Sequence, residues 1–446
     1  MKKLILILIF GCATAALFAQ TDTLLAPAAL RSDLVLLRDT LQDVHPGLYR
    51  YRSKAYIDAV FDSCLGSIRD SMRVTSFFRL TSRVIAAMED GHTNCRLPGP
   101  LMKAYYANAD VFPAVVLFIG GRAYFLCCRQ QPELATAELL TINGRPMSTI
   151  IERLFEYIPS DGAIESRKNW ELDEFFPLFY NLEYGVRDSF TVGYRMPDGA
   201  KGASVLKAGL LKDVLCHAPF PRPSRYLTLE YKPGNVAVLT IRTFLDAFLR
   251  QTGEHFGPFL DSAFGDLAVK KVKRLVIDIR GNQGGNDMNG VLLYSYLAQG
   301  PFRYYSSFRS VKEEYTERQN PGLAMQRPRE RAYRGKVYFL INGRSFSATA
   351  EFAAVARSNR RGVFIGEEIG GGYYGDASGD DDMVILPNSH ISCRIPLMLY
   401  TMAVRPDRYP DRGVRPDYTV LPTVRDLEGL GDRQMDFALK LIASGR

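Results

Sequence analysis

Two short segments carry residue types that could do chemistry. Ser345-Phe346-Ser347-Ala348-Thr349-Ala350-Glu351 follows one strand-like run and opens a helix-like one. A serine at such a junction is often only a helix N-cap. It is also exposed, near the positive end of a helix and beside backbone donors, which is what nucleophilic acyl transfer needs. GxSxG is absent, so the elbow of α/β-hydrolases is not the explanation. The second segment, Asp278-Ile279-Arg280-Gly281-Asn282-Gln283-Gly284-Gly285-Asn286, again follows a strand-like run and precedes the helix-like Val291 to Leu297. Glycines at such a turn let backbone N–H groups point at an anion. Neither GxGxxG nor GxxxxGK[ST] is satisfied, which disfavours nucleotide binding. The same N–H array suits a developing oxyanion, where each good donor is worth roughly 3–4 kcal/mol. A bare strand-to-helix turn is the plain alternative.

The remaining candidates are few. His45, His217, His255 and His390 are scattered and match no HExxH or paired-ligand spacing, so neither a metal nor a cofactor is expected. His45, in His45-Pro46-Gly47-Leu48-Tyr49, reads as a helix-end or packing residue. Glu351, one turn after Ser347, reads as support for the helix start, where an acid is favourable in any protein.

Taken together, the segments resemble the tail-specific, or C-terminal-processing, serine proteases of peptidase family S41. Asp278 to Asn286 is similar to the family's "DxRGNxGG" turn and Ser345 to Glu351 to its "(T/S)xSAxxE" nucleophile segment. Gly366-Glu367 matches its "GE", and Gly413-Val414-Arg415-Pro416-Asp417 its "GVxPD". The likeness runs from roughly residue 225 to 420. Members with a Ser–Lys dyad carry the lysine in an "FGKG" loop, where this chain has Gly370-Gly371-Gly372, and no lysine lies between Ser347 and Leu439. Asp90-Gly91-His92-Thr93 resembles the histidine motif of the tricorn-like branch. The resemblance therefore implies Ser347 as nucleophile and His92 as base, its ordinary pKa near 6.5 suiting proton transfer at neutral pH. A capping or surface histidine after a helix-ending glycine is the plain alternative. The acid that orients His92 is left among Glu367, Glu368 and Asp411, with Glu367 carried forward. Backbone N–H groups of Gly284 or Gly285 and of Ala348 are the expected oxyanion donors.

These residues need elements to hold them. The resemblance implies an α/β, multidomain α+β fold, with a ClpP/crotonase-like catalytic core over 225–446, an N-terminal helical domain over 21–108 and a PDZ-like α+β insert over 109–218. Leu34, Leu37, Leu41 and Val44 recur at helical spacing behind a Ser32 cap, and a second helical segment runs from near Thr75 to Asp90-Gly91. Strand-like runs follow at Val115 to Ile119, Tyr124 to Cys128, Leu139 to Ile142 and Phe190 to Tyr194, broken by Gly120-Gly121, Asn143-Gly144 and Pro197-Asp198-Gly199. Leu139 to Pro146 resembles the hairpin of PDZ domains. After the joint Pro219 to Pro223 come strands at Asn235 to Ile241, Arg274 to Ile279 and Lys336 to Ile341, with a helix over Ala247 to Ala268, an alternation that implies α/β layers.

Composition bounds the rest. A chain of 446 residues exceeds one ordinary core. Lys2, Lys3, the apolar Leu4 to Phe10 and the small residues Ala13 to Ala19 form a secretory signal over 1–20, so export to the periplasm or outside is expected. Ile9-Phe10-Gly11-Cys12 also resembles a lipobox, which would leave a lipid anchor at Cys12, though Phe10 fits it poorly. No later stretch is long and apolar enough to span a bilayer. The net charge of +8 is spread rather than blocked, which argues against nucleic acid. Cys64, Cys95, Cys127, Cys128, Cys216 and Cys393 show no zinc-like or disulfide-scaffold spacing and read as buried small hydrophobes. The partner is then a protein or peptide substrate. A catalytically silent ligand-binding protein on the same fold, and a hydrolase of non-peptide acyl groups, are the competing readings.

Overall fold

The computed structural model describes residues 22–214 and 223–445. The expected signal segment, Cys12, Cys216 and most of the Pro219 to Pro223 joint lie outside the described residues.

The central sheet runs in the order Leu227–Lys232, Val236–Ile241, Arg274–Asp278, Lys336–Ile341, Val363–Gly366, Tyr418–Thr419. Its first pair is antiparallel and the others are parallel. Parallel strands covered on both faces must be apolar throughout, and Val337 to Ile341 are all buried. The helices Phe256–Val269, Asp287–Ser295 and Ala348–Ser358 pack one side, and Arg433–Ala443 covers the other with Ala438, Leu441 and Ile442. The single helix expected over Ala247 to Ala268 is two, Asp246–Gln251 and Phe256–Val269. Gly253 at φ +72 breaks it, a conformation open to glycine at little cost.

A second sheet is built on the long strand Ser392–Met402, flanked by Ala377–Ile385 on one edge and by Tyr305–Arg309 on the other. The short strand Asn94–Arg96, from the N-terminal part, joins the same long strand at Ser392 to Arg394. The rest of that part is the helices Pro27–Val44, Lys54–Ser67, Val74–Ala87 and Gly99–Asn108, with a short antiparallel pair of Leu24–Leu25 and Met72–Arg73. The first helix starts earlier than expected. Pro27 sits in its first turn and Ser32 inside it, because a proline pre-sets φ and lacks only an N–H that the first turn cannot use.

The middle part is an antiparallel sheet in the order Lys201–Lys207, Ser189–Arg195, Glu138–Ile142, Arg122–Cys127, Val115–Ile119. Asn143 and Gly144 both have positive φ between paired Ile142 and Arg145, the two-residue hairpin turn that Asn-Gly favours. The helices Met147–Phe155 and Glu165–Tyr184 pack on this sheet.

The reading of every cysteine as a small hydrophobe is corrected. Cys95 and Cys393 form a disulfide, and Cys127 is also disulfide-bonded. Cys95 and Cys393 are a directly opposed strand pair, so the fold brings together two residues whose spacing in the chain carries no signal. Cys64 and Cys128 are free thiols. Among the described residues no helix is long and apolar enough to cross a membrane.

Candidate active site

Ser347 follows the strand Lys336–Ile341 and occupies the N-cap position of the helix Ala348–Ser358. Its backbone is at φ 54, ψ −133, a region side chains rarely adopt and one that costs about 1–3 kcal/mol. Its side chain makes no capping hydrogen bond. The preceding Ser345, in contrast, is fully buried and donates from Oγ to the Ile279 carbonyl at 2.8 Å. Thr349, Ala350 and Glu351 N–H groups donate to the Phe346 and Ser347 carbonyls, while Ala348 N–H lies ahead of them at the helix head.

The glycine turn lies against this serine. A Cβ on Gly284 would fall 2.8 Å from Ser347 Cβ and 3.0 Å from Ala348 N, and the residue has φ +94, so both space and backbone call for glycine. Gly284 N–H is already committed to Asn282 Oδ1 at 2.9 Å. Gly285 and Ala348, the other two expected donors, line one cavity with Ser347 and His92.

That cavity has a volume of about 1650 Å³. His92 enters it from the loop after the helix Val74–Ala87, and its ring stacks on Phe346, the residue before Ser347, with centroids 4.4 Å apart. The residue is only 5% exposed, and among the described residues neither ring nitrogen has a hydrogen-bond partner. The loop is shaped by Asp90, whose Oδ1 accepts from His92 N–H, Thr93 N–H and Thr93 Oγ1. Beneath it His45 accepts from Gly47 N–H at Nδ1, which leaves its Nε2 proton to face Thr93 Oγ1 at 2.9 Å and Asp90 Oδ2 at 3.7 Å. Burial, partly opposed by Asp90, lowers the His45 pKa and favours this neutral form.

The fully buried Asp161 completes the group and had no signal in the sequence beyond an ordinary Asp-Gly pair. Its Oδ1 accepts from Gly91 N–H at 2.8 Å and its Oδ2 from Gly372 N–H at 3.0 Å, so one carboxyl ties the histidine loop to the Gly370-Gly371-Gly372 loop. Burial and the neighbouring Asp90 push it up to about 6, against the pull of His92 and Arg50. A Cβ on Gly372 would meet Tyr51 Oη at 2.4 Å. The space beside Gly372 is thus filled by Tyr51 and Asp161 and leaves no room for a side chain there.

Glu367 is elsewhere. It lines a separate cavity with Arg280, Asn342 and Gln434, where burial raises its carboxyl to about 7. Glu368 is held by Arg412 and Gly413 N–H, and the Asp411 carbonyl accepts from Ala163 N–H. Behind Ser347, Glu351 accepts from Tyr305 Oη at 2.6 Å, and burial beside Asp376 and Asp287 raises it well above the usual carboxylate range.

Comparisons with known proteins bear on this arrangement. Residues 235–420 match the model of Peptidase family S41. No curated protein matches the chain. Among solved structures, mature CPAF is similar with a TM-score of 0.61 at 16% identity, over 91% of this chain and 95% of that one. Mature CPAF complexed with lactacystin gives 0.63 at 16% identity, over 93% and 97%. At this identity the likeness is one of fold.

Proposed function

We propose that the protein is an exported serine peptidase in which Ser347 attacks a peptide carbonyl and His92 takes its proton. The observation that carries this reading is Ser347 itself. It holds a strained backbone at a helix head, its hydroxyl spent on no cap, in one cavity with a buried imidazole whose nitrogens are unpaired. Backbone strain at a residue whose hydroxyl caps nothing is the kind of outlier that clusters at active sites.

The oxyanion of the tetrahedral intermediate is received by the N–H groups of Gly285 and Ala348, while Gly284, bonded to Asn282, shapes the turn. Asp161, rather than Glu367, is the acid that stabilises the imidazolium, because its carboxyl shares the buried cluster with His92. With the Asp161 carboxyl raised to about 6, its negative charge is lost below that pH and kcat falls there. His92 then returns its proton to the leaving amine and water resolves the acyl-enzyme. The three parts expected from the sequence serve this site in turn, as histidine donor, acid donor and nucleophile core. The match to Peptidase family S41 supports a peptide substrate.

Labelling of the mature chain with a fluorophosphonate probe tests the reading. Labelling is expected in the wild type and absent in Ser347→Ala and His92→Ala, each with an unchanged circular dichroism spectrum. A folded wild type that does not label turns the assignment over to a ligand-binding protein.

A further inference from the structure

The histidine cluster is short of positive charge. Asp90, Asp161 and Asp376 act together on the Arg50 guanidinium, three carboxyls against one cation, and among the described residues Arg50 Nη1 is itself buried without a hydrogen-bond partner. Charges in such surroundings are normally paired or bound to metal.

Three of these groups are also arranged as ligands. One donor atom each from Asp90, His92 and Asp161 lie within 4.8 Å of one another, and all three residues are buried. Two unpaired nitrogens on one buried imidazole are rare, since each forgoes a bond worth about 1–3 kcal/mol. The carboxyls retain lone pairs: each Asp161 oxygen accepts one backbone N–H, and among the described residues Asp90 Oδ2 has the 3.7 Å approach of His45 and no hydrogen bond. One imidazole and two carboxylates suit a first-row divalent ion, Zn²⁺ foremost, and leave a coordination position open to the cavity. Metal–donor distances near 2.0–2.2 Å place tetrahedral donors about 3.5 Å apart, so side-chain rotations of about 1 Å close the set. The backbone N–H groups of Gly91 and Gly372 and the hydroxyl of Thr93 already hold the carboxyls in the way outer ligand partners do.

We infer that Asp90, His92 and Asp161 form a binding site for a divalent transition-metal ion, Zn²⁺ in the first instance, whose occupancy removes the His92 nitrogen from Ser347 and silences hydrolysis. The inhibitory consequence rests on His92 being the base, whereas binding does not. Arg50 opposes the ion and makes it displaceable, so the site acts as a brake rather than as a permanent structural metal.

The test is a Zn²⁺ titration of the metal-stripped mature chain against a chromophoric zinc chelator, with probe labelling run in parallel. One equivalent is expected to bind in the wild type and in Ser347→Ala, with affinity weakened at least about tenfold in His92→Gln and Asp161→Asn. Mg²⁺ is expected not to compete. Should Asp161→Asn fail to fold, His92→Gln alone decides. Full binding by folded His92→Gln marks an adventitious ion at other histidines or thiols and overturns the proposal. Excess Zn²⁺ is expected to slow Ser347 labelling at least about tenfold, and EDTA to restore it. Labelling with no zinc bound removes the metal site and leaves the hydrolase; zinc bound with no labelling keeps the site and removes the hydrolase.

Discussion

A methyl group is enough to test the glycine turn. In Gly284→Ala the new Cβ meets Ser347 Cβ at 2.8 Å and the Phe346 carbonyl at 2.9 Å, and φ +94 strains any side chain. The nucleophile must move by a fraction of an ångström, and kcat/KM is expected to fall about 10²-fold, since misplacement on that scale is costly. Steady-state kinetics with a thermal melt checks this, and an unimpaired variant removes Gly284 from the site. Glu367 gives the opposite case. Its carboxyl is raised by burial to about 7, against about 4.3 in an unfolded chain. Between those values the native state keeps a proton that the unfolded chain has lost, so this residue costs stability as pH rises through the window. Glu367→Gln is expected to gain about 1–2 kcal/mol at pH 8 and nothing at pH 4, with kcat/KM within about threefold of wild type. Denaturant unfolding at the two pH values decides, and a collapse of activity would restore Glu367 as the orienting acid. At this scale the sequence conveyed residue types but not company. Ser347, His92 and the glycines stand in motifs, whereas Asp161 is an Asp-Gly pair like many others and reaches His92 only through the fold. Spacing along the chain could not bring Asp90, His92 and Asp161 together, because Asp90 and His92 are neighbours in sequence whereas Asp161 comes from another part.

Elements with one dominant cause were legible, and those with competing causes were not. The apolar run Lys336–Ile341 is a strand because a central parallel strand is covered on both faces. The helix Glu165–Tyr184 was unreadable by comparison. Pro177 lies in its interior, and its buried residues include Asp173 and Asn181 among aromatics, so neither periodicity nor propensity marks it. Asp173 is spent on Phe118 N–H at 2.6 Å, which fixes this helix to the middle sheet. The short strand Asn94–Arg96 gives the most testable element. It begins two residues after His92 and is held to Ser392–Met402 both by pairing and by the Cys95–Cys393 disulfide. Replacing both cysteines by serine is expected to cost about 2–4 kcal/mol of stability. It is also expected to slow Ser347 labelling, because the histidine loop loses its covalent tie. Melts and labelling of the double variant, beside wild type treated with reductant, check both effects; full labelling in the variant means that strand pairing alone positions His92.

At the scale of the whole molecule, no single part owns the site. The long hairpin 377–402 reaches from the core region into the N-terminal helices, where Leu386, Ile391, Cys393 and Ile395 join Leu34, Leu37 and Leu41 in one apolar cluster. Each fully buried side chain of this kind contributes about 1.5–3 kcal/mol. Asp33, buried in the first helix, accepts from the N–H groups of Asn388 and Ser389 and so fixes the hairpin tip. Such coupling leaves no trace in local periodicity, because the two faces it joins are hundreds of residues apart. The functional consequence is that residues 225–446 contain Ser347, Gly285 and Ala348 but lack His92 and Asp161. Expressed alone, that fragment is expected not to react with a fluorophosphonate probe, whatever its helical content. Co-expressed with residues 21–224, it is expected to regain labelling through the shared apolar cluster and the Cys95–Cys393 link. A lone fragment that labels at the whole-chain rate would show that the base lies within 225–446, and the two-part site would have to be abandoned. Labelling that returns only with the N-terminal piece, and is lost again when that piece carries His92→Ala, ties the chemistry to the way the parts are assembled.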